Sequence, residues 1–175
     1  MSQVHNRGIT LKEMVRESHA ILLVKQARPF RVEEKIPIHE DTIKYPPFLK
    51  VKFRFLVTEV IYNDCCDISA GKEITAVDQR TGTELHMHKV YHLEGSLKSP
   101  IFEHYETGAD LLKEKELILF VSHVGPDESH FISYESVSKK QEVLDLIKKL
   151  DKRPENGRAF PSPPGPAPQM PKRQG

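Results

Sequence analysis

The chain is short of the residues and segments that most often reveal a function. It has no tryptophan, only two cysteines and nine glycines in 175 residues. Its apolar runs are brief, as over residues 20–24, whereas a membrane-spanning helix needs about 18–20 consecutive apolar residues. The N-terminus is polar and shows no apolar core of a secretory signal. We therefore expect a cytoplasmic protein with no membrane segment.

The chain also lacks an excess of either charge. Lysine and arginine total 26 against 25 acidic residues, which gives a formal net charge of +1. Residues 151–175 hold more basic than acidic side chains, so the rest of the chain is slightly negative. This balance argues against a broad basic surface for nucleic acid.

The two cysteines are neighbours, Cys65 and Cys66, in a stretch typical of a turn at the end of a strand. A disulfide between adjacent residues is strained, so we predict free thiols. The carboxylates of Asp64 and Asp67 are expected to raise the thiol pKa values and to lower thiol reactivity. We interpret the pair as two incidental thiols in a reducing compartment, with soft-metal binding or oxidation sensing as the alternative.

Two segments have helical signatures. Thr10 and Glu13 form a capping box of the type Thr-x-x-Glu, and apolar residues follow at helical spacing through about Ser18. Ser138 is placed to cap a second helix near the end of the patterned region. The buried stripe of that helix is predicted to be Val143, Leu144, Ile147 and Leu150.

Most other patterns predict strands. The clearest is the alternation from Phe48 to Tyr62, which is long enough for one face to cover a core while the strand curls into a barrel. Residues 28–47 contain several prolines and are predicted to be a long loop with some strand character. Further strands are predicted over residues 19–26, 73–77, 84–93, 114–124 and 131–134. Residues 117–121 are apolar on both faces, as in a central strand.

The composition changes after Asp151. Seven of the 13 prolines lie between Pro154 and Pro171, and such a segment buries too little apolar surface to offset its ordering entropy. We predict a flexible N-terminus over 1–9, a folded domain over 10–150 and a disordered Pro-rich tail over 151–175. The tail contains a Pro-x-x-Pro-x-Arg string, which can dock in aromatic grooves but is more simply read as a spacer.

The order of these elements resembles that of small bacterial OB-like barrel domains, in which a short helix precedes the first strand. The resemblance rests on Leu11, Lys12, Glu13, Met14, Val15, Ser18, Ala20, Ile21 and Leu22, on Phe53, Phe55, Val57, Glu59, Val60 and Ile61, on Gly71, Lys72, Glu73 and Ile74, and on Leu117, Ile118, Leu119 and Phe120. It covers most of residues 10–150 and implies a mainly β fold. The expected architecture is a five- to six-stranded antiparallel OB-like barrel flanked by an N-terminal and a C-terminal helix. These are core and turn positions, so no active site is implied.

His86, His88 and His92 are the candidate metal ligands. If residues 84–93 form a strand, side-chain alternation places the three imidazoles on one face, where they would suit zinc or a similar divalent metal. Met87 and Tyr91 would then point to the opposite face and look like core residues. The alternative is therefore that the histidines form a solvated face and bind nothing.

Lys50, Lys52 and Arg54 form a basic row on one face of the strand predicted from Phe48, and they are the candidate nucleic-acid contacts. Aromatic residues that would stack on bases are not interleaved with them. Lysines on an exposed strand also discourage edge-to-edge pairing. We favour that role and do not expect nucleic acid as a partner.

No nucleophile elbow, phosphate-binding glycine loop or metalloprotease helix motif is present in the sequence. We therefore expect no enzymatic activity and no cofactor. The leading hypothesis is a non-enzymatic cytoplasmic protein-binding module, an adaptor or regulatory protein, with contacts in residues 31–47 and 86–92. A metal-binding barrel and a single-stranded nucleic-acid-binding OB-type protein are the two alternatives.

Overall fold

Strands dominate the structure, which is a computed structural model that describes residues 5–40, 43–95 and 101–151. In chain order the elements are β1 (His5–Gly8), α1 (Leu11–Glu17), β2 (Ala20–Ile36), β3 (His39–Glu40), β4 (Ile43–Lys44), β5 (Phe48–Asn63), β6 (Glu73–Asp78), α2 (Thr81–Glu94), β7 (Ile101–His104), β8 (Glu116–His123), β9 (Ser129–Ser136), a 3-10 turn (Val137–Lys139) and α3 (Lys140–Lys149). The prediction of a mainly β fold is confirmed.

Five strands form a hydrogen-bonded ring in the order β2-β5-β6-β9-β8, and β8 pairs again with β2. Four of the five neighbouring pairs are antiparallel, whereas β6 and β9 run parallel. The prediction of a wholly antiparallel sheet is therefore wrong. A parallel pair needs a long crossover connection, and the chain between β6 and β9 provides one that includes α2 and β8.

β8 is covered on both faces over residues 117–121, as this apolar run predicts, and so are residues 20–24 of β2, which pair with it. Inside the ring, the core consists of Ala20, Leu22, Val24, Phe55, Val57, Ile68, Ala76, Leu117, Leu119, Val121 and Phe131. On the outer face, α1 and α3 cover a second core of Ile9, Leu11, Met14, Val15, Ile21, Leu23, Tyr62, Ile118, Phe120, Ile132 and Val143. Because alternate side chains pack into different cores, both faces of this paired stretch are buried.

Register shifts explain why the alternation along β5 changes face part-way. Phe55 and Val57 point into the ring. The pairing with β2 then shifts at two places, so that Val60 still packs inside while Tyr62 joins the outer core. Each bulge inserts one unpaired residue and moves every later side chain to the other face.

β2 extends much further than predicted, because residues 28–36 form strand and not a loop. The pairing with β5 pauses between Gln26 and Arg31, and Pro29 lies in this gap, where no ladder hydrogen bond from its nitrogen is needed. Pairing resumes from Arg31 opposite Phe53 to Ile36 opposite Phe48. We call residues 31–36 and 48–53 the ribbon.

Residues 84–93 are helical, which corrects the predicted strand there. The segment contains helix formers such as Glu84, Leu85 and Lys89, and its short apolar pattern fits either period. The decisive signal is Gly95, which ends α2 in the left-handed conformation with φ 73°. Glycine at this position is a common helix stop.

The two terminal helices match their predictions in part. Thr10 and Glu13 form the predicted capping box, and Leu11, Met14 and Val15 are buried. Before α3, it is the hydroxyl of Ser136 that accepts from the amide of Ser138, so Ser138 is not the cap.

The predicted stripe of α3 also needs correction. Val143 is buried in the outer core, and Ile147 and Leu150 pack against it as predicted. Leu144 is exposed, however, and Leu146 takes the expected place against the core.

The folded part begins before residue 10. β1 pairs in parallel with β7, and Ile9 is buried. The predicted tail lies outside the described residues from position 152 onward. None of the helices in the described ranges is long and apolar enough to cross a membrane.

Candidate functional site

Lys50, Lys52 and Arg54 lie on one face of β5, as predicted, but each is matched by a carboxylate. Lys50 Nζ donates to Glu128 at 2.8 Å, Lys52 Nζ to Glu34 at 2.9 Å and Arg54 to Glu73 at 2.6 Å. The three acceptors come from the loop before β9, from β2 and from β6. A phosphate backbone would have to displace all three carboxylates to use this row.

The loop acceptor is well adapted to its lysine. Burial raises the pKa of Glu128, but the hydrogen bond and charge of Lys50, aided by His130, lower that pKa below its usual range. Glu128 therefore stays ionised near neutral pH and holds the loop against β5.

The other face of the ribbon carries an apolar strip. Leu49, Val51 and Phe53 alternate along β5, so their side chains share a face. The side chain of Leu49 is 44% exposed, and those of Val51 and Phe53 are half-buried. We call these three residues the apolar strip. Charged side chains of alternating sign stand opposite them on β2, namely Arg31, Glu33 and Lys35.

The strip ends in an open cavity of about 390 Å³. Phe53 and Tyr134 contribute aromatic surface to it, and Arg31 and Asp110 contribute opposite charges. Leu112 stands at the cavity with 61% of its surface exposed. Gln26 holds this part of the chain in place by donating to the carbonyl oxygens of Leu111 and Leu112 at 3.1 and 3.2 Å.

The ribbon also has a free edge. β8 pairs with β2 only from Ala20 to Lys25, while β5 pairs along its other side as far as Ile36. Among the residues that the structure describes, no strand lies against the outer edge of residues 31–36. Unpaired backbone groups on such an edge are able to accept another strand.

The histidines are arranged differently from the prediction, because they lie on α2 and not on a strand. His88 and His92 are one turn apart, with ring centroids separated by 4.5 Å. His86 is exposed and lies on another side of the helix. Within the described ranges, no group of three or more histidine, cysteine, aspartate or glutamate side chains is arranged to hold a metal ion.

Contacts with the chain before β5 orient the two paired histidines. His88 Nε2 lies 2.8 Å from the carbonyl oxygen of Pro46 and must be the donor, because that oxygen can only accept. Phe48 packs beside His88 and Tyr45 beside His92, with ring centroids 5.7 and 5.9 Å apart. These contacts fix α2 against the start of β5.

A second cleft, of about 350 Å³, lies between the chain after β5 and the loop before β9. Its lining is polar and includes Asp67, Lys72, Glu73, Asp127 and Glu128. Two of these carboxylates are already in ion pairs with the basic row on β5. The charges of these two carboxylates are therefore already compensated within the chain, and the apolar strip is the stronger candidate site.

The apolar strip is not among the sites predicted from the sequence. Leu49, Val51 and Phe53 belong to the face of the alternation that is expected to cover a core. Phe53 does pack against the core inside the ring, whereas Leu49 and Val51 lie beyond it along the ribbon. Comparisons with protein-family models, with curated proteins and with solved structures found no match to this chain.

Proposed function

We propose that this chain is a non-enzymatic protein-binding module built on an OB-like barrel. The number of strands in the ring and the terminal helices support the fold assignment. The observation that supports the function is the apolar strip on β5, which ends in an aromatic cavity. One strand, residues 31–36 of β2, separates the strip from an edge that no described strand covers.

The occupant we propose is an extended segment of a partner protein. Such a segment would add as a strand along the outer edge of residues 31–36, so that its backbone satisfies the free amide and carbonyl groups. Its alternate side chains would lie beside Arg31, Glu33 and Lys35, on the face of the ribbon that carries the apolar strip. One apolar or aromatic side chain would extend past Arg31 into the cavity against Phe53 and Tyr134. Backbone pairing supplies affinity in this mode, and the cavity supplies selectivity.

The charges along the ribbon favour a partner of mixed charge. Arg31 and Glu33 form an exposed ion pair at 3.0 Å, and Lys35 follows on the same face. An exposed pair of this kind contributes little stability, so its members are available to a partner. A segment carrying both an acidic and a basic residue matches this edge better than a run of one sign.

The test is selection of binders from a library of random displayed peptides, followed by affinity measurement on variants. Leu49→Asp and Leu112→Asp place a charge on the strip and at the cavity. Each should weaken the selected peptide by about tenfold or more. Leu144→Asp is the control, because Leu144 is a leucine on α3 that is 38% exposed, close to the 44% of Leu49.

Enrichment of peptides with apolar residues at alternate positions, together with unchanged binding to Leu144→Asp, is the expected result. Selected peptides that bind Leu49→Asp and Leu112→Asp as well as the parent chain would refute the site. A failure to enrich any sequence would refute the function.

The paired histidines favour a second candidate, a transition-metal site on α2. Imidazoles one helical turn apart can bind one ion together. The donation from His88 Nε2 to Pro46 leaves the lone pair of Nδ1 available when the ring is neutral. This site would use His88 and His92, and the role first predicted for His86 is replaced.

Titration with Zn²⁺ and Cu²⁺ tests this second candidate. Heat of binding should be lost in His88→Ala and in His92→Ala. His86→Ala is the matched control and should bind like the parent chain. The absence of heat with both ions, or equal losses in all three variants, would remove the candidate.

A further inference from the structure

The turn that follows β5 places the thiols of Cys65 and Cys66 close to the same side-chain oxygen. The carbonyl oxygen of the Asn63 side chain lies 3.6 Å from Cys65 Sγ and 3.5 Å from Cys66 Sγ. The same oxygen accepts from the amides of Cys65 and Cys66 at 3.2 and 3.3 Å. In an extended strand, adjacent side chains point to opposite faces. Here the turn places both sulfurs on the same side.

The Asn63 side chain locks this arrangement. Its amide nitrogen also donates to the carbonyl oxygen of Cys66, so one side chain holds the backbone on both sides of the cysteine pair. Neither thiol is shut away, because Cys65 is exposed and Cys66 is half-buried. Cys66 also lines the polar cleft of about 350 Å³, which gives a small ligand access.

We propose that Cys65 and Cys66 form a two-sulfur site for a trivalent arsenical, a class of soft electrophile that bonds to two thiols at once. Soft thiolate ligands select ions and groups of this kind over hard ones. With an arylarsenoxide, both S–H bonds break and two As–S bonds form. The two protons and the arsenoxide oxygen leave as one water molecule, so no oxidant is required.

A disulfide is a poorer product for the same pair. Adjacent Cα atoms are about 3.8 Å apart, whereas disulfide-linked Cα atoms usually lie roughly 4.4–6.8 Å apart. An arsenic atom between the sulfurs enlarges the ring and removes the need for a direct S–S bond. The two sulfurs therefore suit a bridging atom better than they suit oxidation.

The raised pKa values of the two thiols distinguish arsenical binding from the reaction of a single thiolate with an electrophile. Partial desolvation of its sulfur, followed by the hydrogen bond and charge of Cys66, raises the pKa of Cys65 to about 12. Burial also raises the pKa of Cys66. Reagents that need a free thiolate will therefore react slowly. Arsenical binding carries the thiol protons into the water that leaves, so its balance does not depend on a preformed thiolate.

The experiment is intact-mass analysis of the full chain after treatment with phenylarsine oxide. One phenylarsenic group should add per chain, persist in excess 2-mercaptoethanol and be removed by the dithiol 2,3-dimercaptopropanol. Cys65→Ser and Cys66→Ser should each lose the monothiol-resistant adduct. Asn63→Ala, checked for folding by circular dichroism, should retain less adduct than the parent chain.

Three results would overturn the proposal. They are no adduct on the folded parent chain, an adduct that 2-mercaptoethanol removes, and an adduct that survives equally in either serine variant. Equal retention in Asn63→Ala would show that the turn does not organise the pair, which also contradicts the inference.

Discussion

At the scale of single residues, Phe55 is the largest fully buried side chain of the core inside the ring. It is 1% exposed and makes an edge-on contact with Phe30, with ring centroids 5.2 Å apart. Phe55→Ala removes this burial and leaves a cavity, so we expect a loss of about 3–5 kcal/mol in the free energy of unfolding. Urea denaturation measures it, with Leu144→Ala as an exposed control. A loss below about 1 kcal/mol would mean that the core is loosely filled.

The hydrogen bonds of the buried carboxylate of Glu135 give a second prediction at the scale of single residues. It is 2% exposed and accepts from the hydroxyl of Tyr105 at 2.7 Å and from the amide of Ser136 at 2.9 Å. Burial and then this hydrogen bond raise the pKa of Tyr105. Tyr105→Phe leaves Glu135 short of a donor and should lower the free energy of unfolding by about 1–3 kcal/mol. Tyr91→Phe is the exposed control, and equal stability of the two variants would contradict this account.

The raised pKa of Cys65, about 12, predicts how the reactivity of its thiol changes with pH. The thiolate fraction is small at pH 8 and rises about tenfold for each pH unit below that pKa. The Cys66→Ser variant loses the second thiol but keeps the desolvation that is the largest cause of the shift, so the pKa of Cys65 should stay raised. Alkylation of this variant by iodoacetamide should accelerate steadily from pH 8 to pH 10. It should also be at least about tenfold slower in the folded chain than in urea. A rate that levels off near pH 9 would show that burial does not control this thiol.

At the scale of elements, the loop between β8 and β9 requires glycine at position 125. A Cβ there would lie 2.5 Å from the carbonyl oxygen of Glu128, which is backbone and cannot turn aside. Gly82, in α2, has nothing within 4 Å of the corresponding position. We expect Gly125→Ala to destabilise the fold by about 1–3 kcal/mol. Gly82→Ala should be neutral or stabilising by up to about 1 kcal/mol.

Thermal unfolding of the two alanine variants compares these glycines directly. A lower melting temperature is expected for Gly125→Ala and an unchanged or higher one for Gly82→Ala. A Gly125→Ala variant as stable as the parent would show that the loop relaxes freely, and it would weaken the argument that Glu128 is held against Lys50.

Elements were predictable from the sequence where the signal was local. The capping box of Thr10 and Glu13 depends on four consecutive residues, and the alternation from Phe48 needs only the strand itself. α2 was mistaken for a strand because its short apolar pattern fits either period, and because the contacts of His88 with Pro46 and Phe48 cannot be seen in the sequence of the segment itself. Those contacts join segments far apart in sequence.

At the scale of the whole molecule, the candidate site depends on long-range pairing and could not be predicted. The apolar strip continues the inward face of β5 beyond the ring, and this stretch is paired only because β2 continues past Pro29 and pairs with the start of β5. The basic row on the opposite face was predicted correctly in position. Its carboxylate partners, which come from Glu34, Glu73 and Glu128, were not. Sequence periodicity predicts on which face of a strand a side chain lies, but it does not predict which residues of other elements contact that side chain.

The proposed strand addition at the ribbon is the central claim, and residue-resolved amide hydrogen exchange tests it most directly. Exchange is measured on the chain alone and with a saturating selected peptide. Strand addition predicts slower exchange for outward-pointing amides of residues 31–36, because they gain hydrogen bonds, with little change across α2. Protection confined to residues 81–95 or 66–75, with residues 31–36 unchanged, would contradict it.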